Sequence, residues 1–259
     1  AISFFVNLTF TQVLGIIAKC IISTTIQLEC KLKSTGESCA PGSGIYTILS
    51  PNGGKYFAAQ RSDLAVDPEA GVAYVMTAQT NSAAGGTQYQ PGALCIDLKP
   101  LPTGAPAWCG FTPVSDTLGS SNWDDWSDLT KAGRKYYSLI TPNAPQLICF
   151  DAALGTACAD TPLAIPTASK ELRTKAHGDQ LFIKTNTVTY CVLVSDPTST
   201  CAGWSDGKTH SSDQNSDIAF HANSSRDIDG ICIRRGCWDF AGNSQSTWGN
   251  PFSLSQLDS

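Results

Sequence analysis

Residues 146–159 read Q-L-I-C-F-D-A-A-L-G-T-A-C-A, and this stretch contains all the parts of one β-hairpin. The apolar run from Leu147 to Phe150 favours a buried strand, and D-A-A-L-G places Asp and Gly where β-turns use them. Cys149 and Cys158 enclose eight residues around that turn. Because cysteines on either side of a short turn can be bridged, the stretch predicts a hairpin closed by a disulfide.

Similar cysteine pairs recur along the chain. Three further pairs enclose eight, nine or thirteen residues with turn residues near the middle: Cys30 and Cys39, Cys191 and Cys201, and Cys95 and Cys109. Closing loops of this length stabilises a folded chain by about 2–3 kcal/mol on the chain-entropy model. We therefore expect local hairpin disulfides in most of the repeated units.

The last two cysteines leave two pairings open. Cys237 aligns with Cys149, since both begin C-[FW]-D, but the position nine residues further on is Ser246. Cys232 is then an extra cysteine. It either pairs with Cys237 across a tight hairpin, or one of the two bonds Cys20 and joins the ends of the chain. The odd total of 11 cysteines leaves one thiol for a possible intermolecular contact.

The hairpin belongs to a longer unit that occurs four times. Each copy has an apolar or alternating strand followed by a cysteine-containing hairpin. The copies lie at 71–111, 134–159, 179–204 and 217–243, with a half-copy at 26–40. The second cysteines of three copies, at 109, 158 and 201, are 49 and 43 residues apart. This period fits one four-stranded blade of a β-propeller.

The length of 259 residues bounds the number of blades. Five repeats of about 45 residues nearly account for the chain, so we expect an all-β propeller of about five blades, or five blades of a six- or seven-bladed ring. We expect one domain over 1–259, with repeats near 1–45, 46–115, 116–166, 167–207 and 208–250. The best candidate for a short helical turn, or a loop, is 122–131.

The hairpins also carry a family resemblance. An Asp follows the third strand of each copy and a Gly lies in the next turn: Asp97, Asp151, Asp196 and Asp239, with Gly104, Gly155 and Gly242. Over roughly residues 55–245 this pattern resembles the repeat of quinoprotein-type and kelch-like β-propellers. The added cysteines look like those of secreted propellers that staple each blade. The resemblance implies a fold and no cofactor, because the adjacent Cys-Cys pair of quinoproteins is absent from the sequence.

Charge and cysteine usage restrict the partner and the compartment. A net charge of -5 lacks the basic face that a nucleic-acid binder needs. No C-x-x-C pair occurs, so we expect no metal site, and the cysteines then favour an oxidising, extracellular compartment.

Residues 1–22 are apolar but interrupted by polar side chains, which favours strands of a first blade over a membrane-spanning helix. Sequons at Asn7 and Asn223 predict surface glycans if the source is eukaryotic.

The densest cluster of aromatic and acidic side chains is N-W-D-D-W-S-D at 122–128. Trp faces stack on sugar rings, and carboxylates bond hydroxyls or ligate calcium. Our candidate binding residues are therefore Trp123, Asp124, Asp125 and Trp126. The structural alternative is a loop between blades whose tryptophans cap the core.

No nucleophile, base and acid stand out together in the sequence. His177 falls in a predicted turn, His210 in a polar loop and His221 in an alternating strand, and we interpret all three as ordinary histidines. Asp227-Ile228-Asp229-Gly230 resembles part of a calcium loop without the closing Glu, and a β-turn is the interpretation we prefer.

Taken together, these patterns favour a secreted or cell-surface binding module, without enzymatic activity, whose ligand is a protein or a glycan. Two alternatives stay open. A glycan-processing hydrolase or lyase rests on the Trp/Asp cluster, and a structural subunit of an extracellular assembly rests on the leftover cysteine.

Overall fold

A computed structural model describes residues 6–7, 12–16, 22–23, 25–32, 37–38, 45–49, 56–57, 64–80, 89–101, 104–116, 129–140, 146–165, 173–211, 217–234 and 236–248. Every regular element within these ranges is a β-strand. The chain divides into two compact units, Ala1–Ile165 and Pro166–Ser259.

The first unit contains three antiparallel sheets. Its strands are β1 (Val6–Asn7), β2 (Gln12–Ile16), β3 (Ile22–Ser23), β4 (Thr25–Leu32), β5 (Ile45–Leu49), β6 (Tyr56–Phe57), β7 (Leu64–Asp67), β8 (Val72–Thr80), β9 (Tyr89–Asp97), β10 (Ala107–Pro113), β11 (Thr130–Ala132), β12 (Lys135–Ile140), β13 (Gln146–Asp151), β14 (Thr156–Ala157) and β15 (Leu163–Ala164). The strand order of the first sheet is β1-β2-β4-β5. The second sheet has the order β10-β9-β8-β6-β3, and β7 also pairs with β8. The third has the order β11-β12-β13-β14, and β15 also pairs with β13.

The second unit contains two antiparallel sheets. Its strands are β16 (Arg173–His177), β17 (Gln180–Lys184), β18 (Val188–Leu193), β19 (Lys208–Thr209), β20 (Ala219–Ala222), β21 (Ile228–Ile233) and β22 (Gly236–Asp239). The sheets are ordered β16-β17-β18-β19 and β20-β21-β22. A bridge from Trp238 to Ser244 adds a short fourth segment beside β22.

Within each unit, apolar side chains join one sheet to the next. In the first unit, Leu28 of the first sheet shares a core with Ile96 of the second. Tyr74 of the second sheet packs on Phe150 of the third, with ring centroids 4.9 Å apart. In the second unit, Phe182 of β17 shares a core with Ile231 of β21. Successive side chains of a strand point to opposite faces, so the burial of residues 136–140 of β12 and 147–150 of β13 shows that both faces of these strands are covered.

Four disulfides close hairpins in the described part of the chain. They are Cys95–Cys109, Cys149–Cys158, Cys191–Cys201 and Cys232–Cys237. The first three confirm the predicted local pairs. The last resolves the open pairing in favour of the tight hairpin, because Cys232 lies directly opposite Cys237 on β21 and β22. Cys20 and Cys39 lie outside the described residues, so the pairing of Cys30 with Cys39 stays a prediction.

The aspartates at the ends of the third strands, or shortly after them, accept hydrogen bonds from the turns in which they lie. In each case a carboxylate oxygen accepts a backbone N–H of its own turn at 2.8–3.1 Å: Lys99 for Asp97, Ala153 for Asp151, Thr198 for Asp196 and Asn243 for Asp239. This is the Asx-turn chemistry for which Asp is favoured in turns. The carboxylates therefore serve the scaffold of the hairpins.

One local prediction is wrong and another is tested only at its end. In the segment 122–131, predicted as a short helical turn or a loop, residues 122–128 lie outside the described residues and residues 130–131 belong to β11. Residues 228–230 belong to β21, and the turn lies earlier, where Asn223 Oδ1 accepts the N–H groups of Ser225 and Asp227 at 2.9 and 3.0 Å.

Candidate functional site

The predicted binding residues Trp123, Asp124, Asp125 and Trp126 lie outside the described residues, and their role stays a prediction. Of the two sequon asparagines, Asn7 lies on β1 and Asn223 lies in the turn between β20 and β21.

A different cluster comes together in the second unit, from an imidazole, a carboxylate and an indole. His221 lies on β20 and Asp229 lies on the neighbouring strand β21. The imidazole Nδ1 is 2.7 Å from Asp229 Oδ1. The ring of Trp248 stacks on the same imidazole, with centroids 3.8 Å apart and planes 4° from parallel. We call these three residues the His221 cluster.

An irregularity in the strand pairing brings Asp229 to the imidazole. His221 lies opposite Gly230, whereas Ala222 lies opposite Ile228, so Asp229 is an extra residue on β21. In a regular ladder Asp229 would point to the face opposite that of Gly230, and therefore away from His221. An extra residue of this kind re-aims a side chain, as β-bulges commonly do beside functional sites.

Gly230 makes room for the indole. A Cβ at this position would stand 2.6 and 2.7 Å from Cζ3 and Cη2 of Trp248. The segment that carries the indole is fixed by backbone contacts, since the N–H of Gln245 donates to the carbonyl of Cys237 at 2.9 Å. The side chain of Gln245 also donates to Asp239 Oδ2 at 3.0 Å. The segment that carries Trp248 is therefore held against β22, and its indole packs on the strands that carry His221 and Gly230.

The His221 cluster is open to solvent on part of its surface. The side chain of His221 is 23% exposed and that of Asp229 is 35% exposed. Within the described residues, His221 Nε2 and Asp229 Oδ2 make no further hydrogen bond. When the neutral imidazole directs its Nδ1 proton at Asp229, the lone pair lies on Nε2. The cluster then presents two hydrogen-bond acceptors beside an aromatic ring.

A second polar cluster, in the first unit, joins two sheets. Asp67, at the end of β7, accepts Nε and Nη2 of Arg134 at 2.9 and 2.7 Å and the N–H of Ala70 at 3.2 Å. Burial alone would raise the pKa of Asp67, but these hydrogen bonds together lower it. Lys131 adds a hydrogen bond to the carbonyl of Val66 at 3.0 Å. Because Asp67 and Arg134 bind each other, we assign this cluster a structural role, which is to link the two sheets.

The histidines differ in their surroundings. The sequence predicts a turn at His177, but this residue ends β16 and stacks on Phe240, with centroids 4.7 Å apart and planes 13° from parallel. His210 is buried, although its sequence context is polar. Of the three, His221 is the one that contacts a carboxylate within the described residues. The strand pattern at 217–222 placed His221 correctly on a strand, but it gave no indication of its partners.

The described residues form neither a metal-binding cluster nor a membrane-spanning helix. No group of three or more His, Cys, Asp or Glu side chains is placed there to hold a metal ion. Within the same ranges, no helix has the length and apolar character needed to cross a bilayer.

Comparisons with known proteins identify the fold. No family model and no curated protein matches this sequence. In contrast, 36 chains of solved structures match. One is described as "Structure of Dos1 propeller", with a TM-score of 0.52 and 10% sequence identity over 93% of this chain. The match covers 58% of that chain, so the present chain spans little more than half its length. At this identity the likeness concerns the fold alone, and together with the packed antiparallel sheets it shows a β-propeller.

Proposed function

We propose that this protein is an extracellular β-propeller that binds a glycan or a protein and does not turn it over. The observation that carries the proposal is the use of its aspartates. Those at the hairpins are hydrogen-bonded to their own turns, and Asp67 is paired with Arg134. These carboxylates therefore stabilise the turns and the contact between two sheets, which is a structural role.

The electrostatics of these carboxylates argue against glycosidase chemistry at the hairpins. A glycosidase needs a carboxylic acid whose pKa is raised, close to a second carboxylate. Here the hydroxyls of Ser199 and Thr198 lower the pKa of Asp196. Burial alone would raise the pKa of Asp239, but donors from Asn243 and Gln245 lower it. Groups with lowered pKa values stay ionised and are poor proton donors.

The disulfides support an extracellular compartment. Stapled hairpins recur in successive sheets, and such bonds persist in oxidising surroundings such as the cell exterior. The proposal therefore includes secretion, with glycans on Asn7 and Asn223 if the source is eukaryotic. It also includes kinship of the repeats with quinoprotein-type and kelch-like propellers, which the Asp-and-Gly turns support. Residues 122–128 remain a second candidate surface for the ligand.

A hydrolase or lyase is the second candidate, and one contact favours it. The 2.7 Å approach of Asp229 to His221 Nδ1 is the orientation that general bases use. A base alone does not define a reaction, so the binding function is preferred.

The two candidates are separated by one pair of assays on the purified, disulfide-intact chain. Arrays of glycans and of extracellular proteins measure binding, and assays for reducing ends and unsaturated sugars measure turnover of the same glycans. We expect saturable binding without turnover. Turnover that disappears in His221→Ala would establish the second candidate instead, and no saturable binding to either array would contradict the proposal.

A further inference from the structure

We propose that the His221 cluster is a binding site for a neutral sugar, whose hydroxyls donate to His221 Nε2 and to Asp229 Oδ2. This inference rests on the proposed binding function, and it names the ligand class and the residues that recognise it. Trp248 is assigned as the aromatic wall of the site. None of these residues was predicted as a binding residue from the sequence.

The first argument is the irregular strand pairing at Asp229. A regular hairpin would place this carboxylate on the other face of the sheet, and the extra residue on β21 brings it within 2.7 Å of the imidazole. Anchoring the C-terminal segment would need only the stack of Trp248 on His221. The redirected carboxylate adds a fixed acceptor at the edge of that stack, which a purely apolar anchor does not require.

The second argument is the chemistry of the open atoms. One oxygen of Asp229 holds the imidazole, and the other oxygen and Nε2 make no further hydrogen bond within the described residues. A sugar ring carries hydroxyl donors around its edge, and Nε2 and Oδ2 can each accept one of them. With exposures of 23% and 35%, both side chains are accessible yet partly shielded from water, which strengthens hydrogen bonds made there.

The third argument is preorganisation. The imidazole is held by a carboxylate at its edge and by an indole 3.8 Å from its face. The indole is fixed in turn over Gly230, where no side chain could fit beneath it. Side chains that are already immobile lose little conformational entropy when a ligand binds, so modest contacts can still give measurable affinity.

Charge favours a neutral sugar over an acidic one. While the imidazole is neutral, the cluster carries the single negative charge of Asp229, and the neighbouring Asp227 is exposed. The exposed Arg226 is adjacent to Asp227 in the turn and offsets that charge. An anionic ligand would therefore meet the uncompensated carboxylate at the site itself, and like charges repel at such distances.

The test is affinity electrophoresis of the native, disulfide-intact chain. Gels contain xylan, mannan or mixed-linkage β-glucan as neutral probes, and polygalacturonate as the acidic probe. Asp229→Asn keeps an oxygen for the imidazole and replaces the open acceptor by a donor. His177→Gln is the matched control, because His177 also stacks on an aromatic ring in the same unit but contacts no carboxylate among the residues that the structure describes. Thermal melting of each variant checks that it is folded.

We expect retardation of the wild type by at least one neutral polysaccharide. Affinity should fall at least tenfold in Asp229→Asn and in His221→Ala, and it should be unchanged in His177→Gln. Equal retardation of all folded variants would overturn the inference, and so would retention by polygalacturonate alone. Binding on a protein array without retention by any sugar would overturn this inference and leave the proposed function standing. Absence of binding in both assays would overturn both.

Discussion

The approach of two turns in the second unit gives a prediction that tests how neighbouring sheets are joined. Gly203 lies in the turn after Cys201, with φ of +77°. A Cβ at Gly203 would overlap the carbonyl oxygen of Ala241 and stand 2.9 Å from its carbonyl carbon. Ala241 lies in the turn after β22. Backbone therefore meets backbone here, and no side chain can yield to make space.

The cost of Gly203→Ala has two parts. An alanine in the left-handed region costs about 1–2 kcal/mol in folding free energy. The overlap with the Ala241 backbone adds about 1–3 kcal/mol, the usual cost of overpacking. Gly178→Ala is the matched control, because Gly178 has φ of +56° and nothing lies within 4 Å of its Cβ position. The difference between the two variants isolates the contact between the turns.

Urea unfolding of the disulfide-intact variants, followed by tryptophan fluorescence, measures this difference. Trp204 and Trp238 lie in the core of the same unit, with centroids 6.5 Å apart, and report on its unfolding. We expect Gly203→Ala to lose about 1–3 kcal/mol more than Gly178→Ala. Equal losses would refute the reasoning, because they would mean that the two turns do not touch.

Two further predictions concern the ion pair of Asp67 with Arg134 and the hairpin disulfides. The pKa of Asp67 is lowered in the folded state, so its stabilisation is present above about pH 4 and is lost as the pH falls through the folded pKa. The difference in melting temperature between wild type and Asp67→Asn should therefore shrink below about pH 4, and a difference independent of pH would contradict this. Replacing Cys95 and Cys109 by Ala should cost about 3 kcal/mol, and replacing Cys232 and Cys237 about 2 kcal/mol, because the second loop is shorter. Equilibrium urea unfolding checks the order of these two costs, and the reverse order would count against the loop-closure account.

The hairpins were predictable because their information is local. Each combines an apolar run, turn residues and a cysteine pair within a short stretch, and β13 and β18 appear where that pattern places them. In the last copy the predicted alignment of Cys237 with Cys149 is confirmed, because each lies on the third strand of its sheet. Its disulfide nevertheless joins the second and third strands of the sheet, because Cys232 and Cys237 lie on β21 and β22. In the other three disulfides, the first cysteine lies on the third strand and its partner lies further along the chain. A cysteine spacing alone does not show which pair of strands it joins.

The His221 cluster could not be predicted because it depends on pairing across strands. Asp229-Gly230 resembles a turn in sequence, but in the structure the irregular pairing absorbs Asp229 into β21 and redirects its side chain. Trp248 reaches the imidazole only because Gly230 leaves space. For Asp67, in contrast, a signal was present, since D-P-E-A-G at 67–71 has the spacing of D-A-A-L-G at 151–155. Its partner Arg134 lies too far along the chain for any local pattern to indicate.

Disulfide mapping of the protein taken from the cells that make it tests the central claim, an extracellular propeller with stapled hairpins, most directly. Free thiols are alkylated under denaturing conditions, and the unreduced peptides are then identified by mass spectrometry. The account predicts linked peptides for the four described pairs, among them Cys232 with Cys237, and a fifth linking Cys30 to Cys39. Alkylated thiols at the hairpin cysteines, or bonds that join different hairpins, would contradict it.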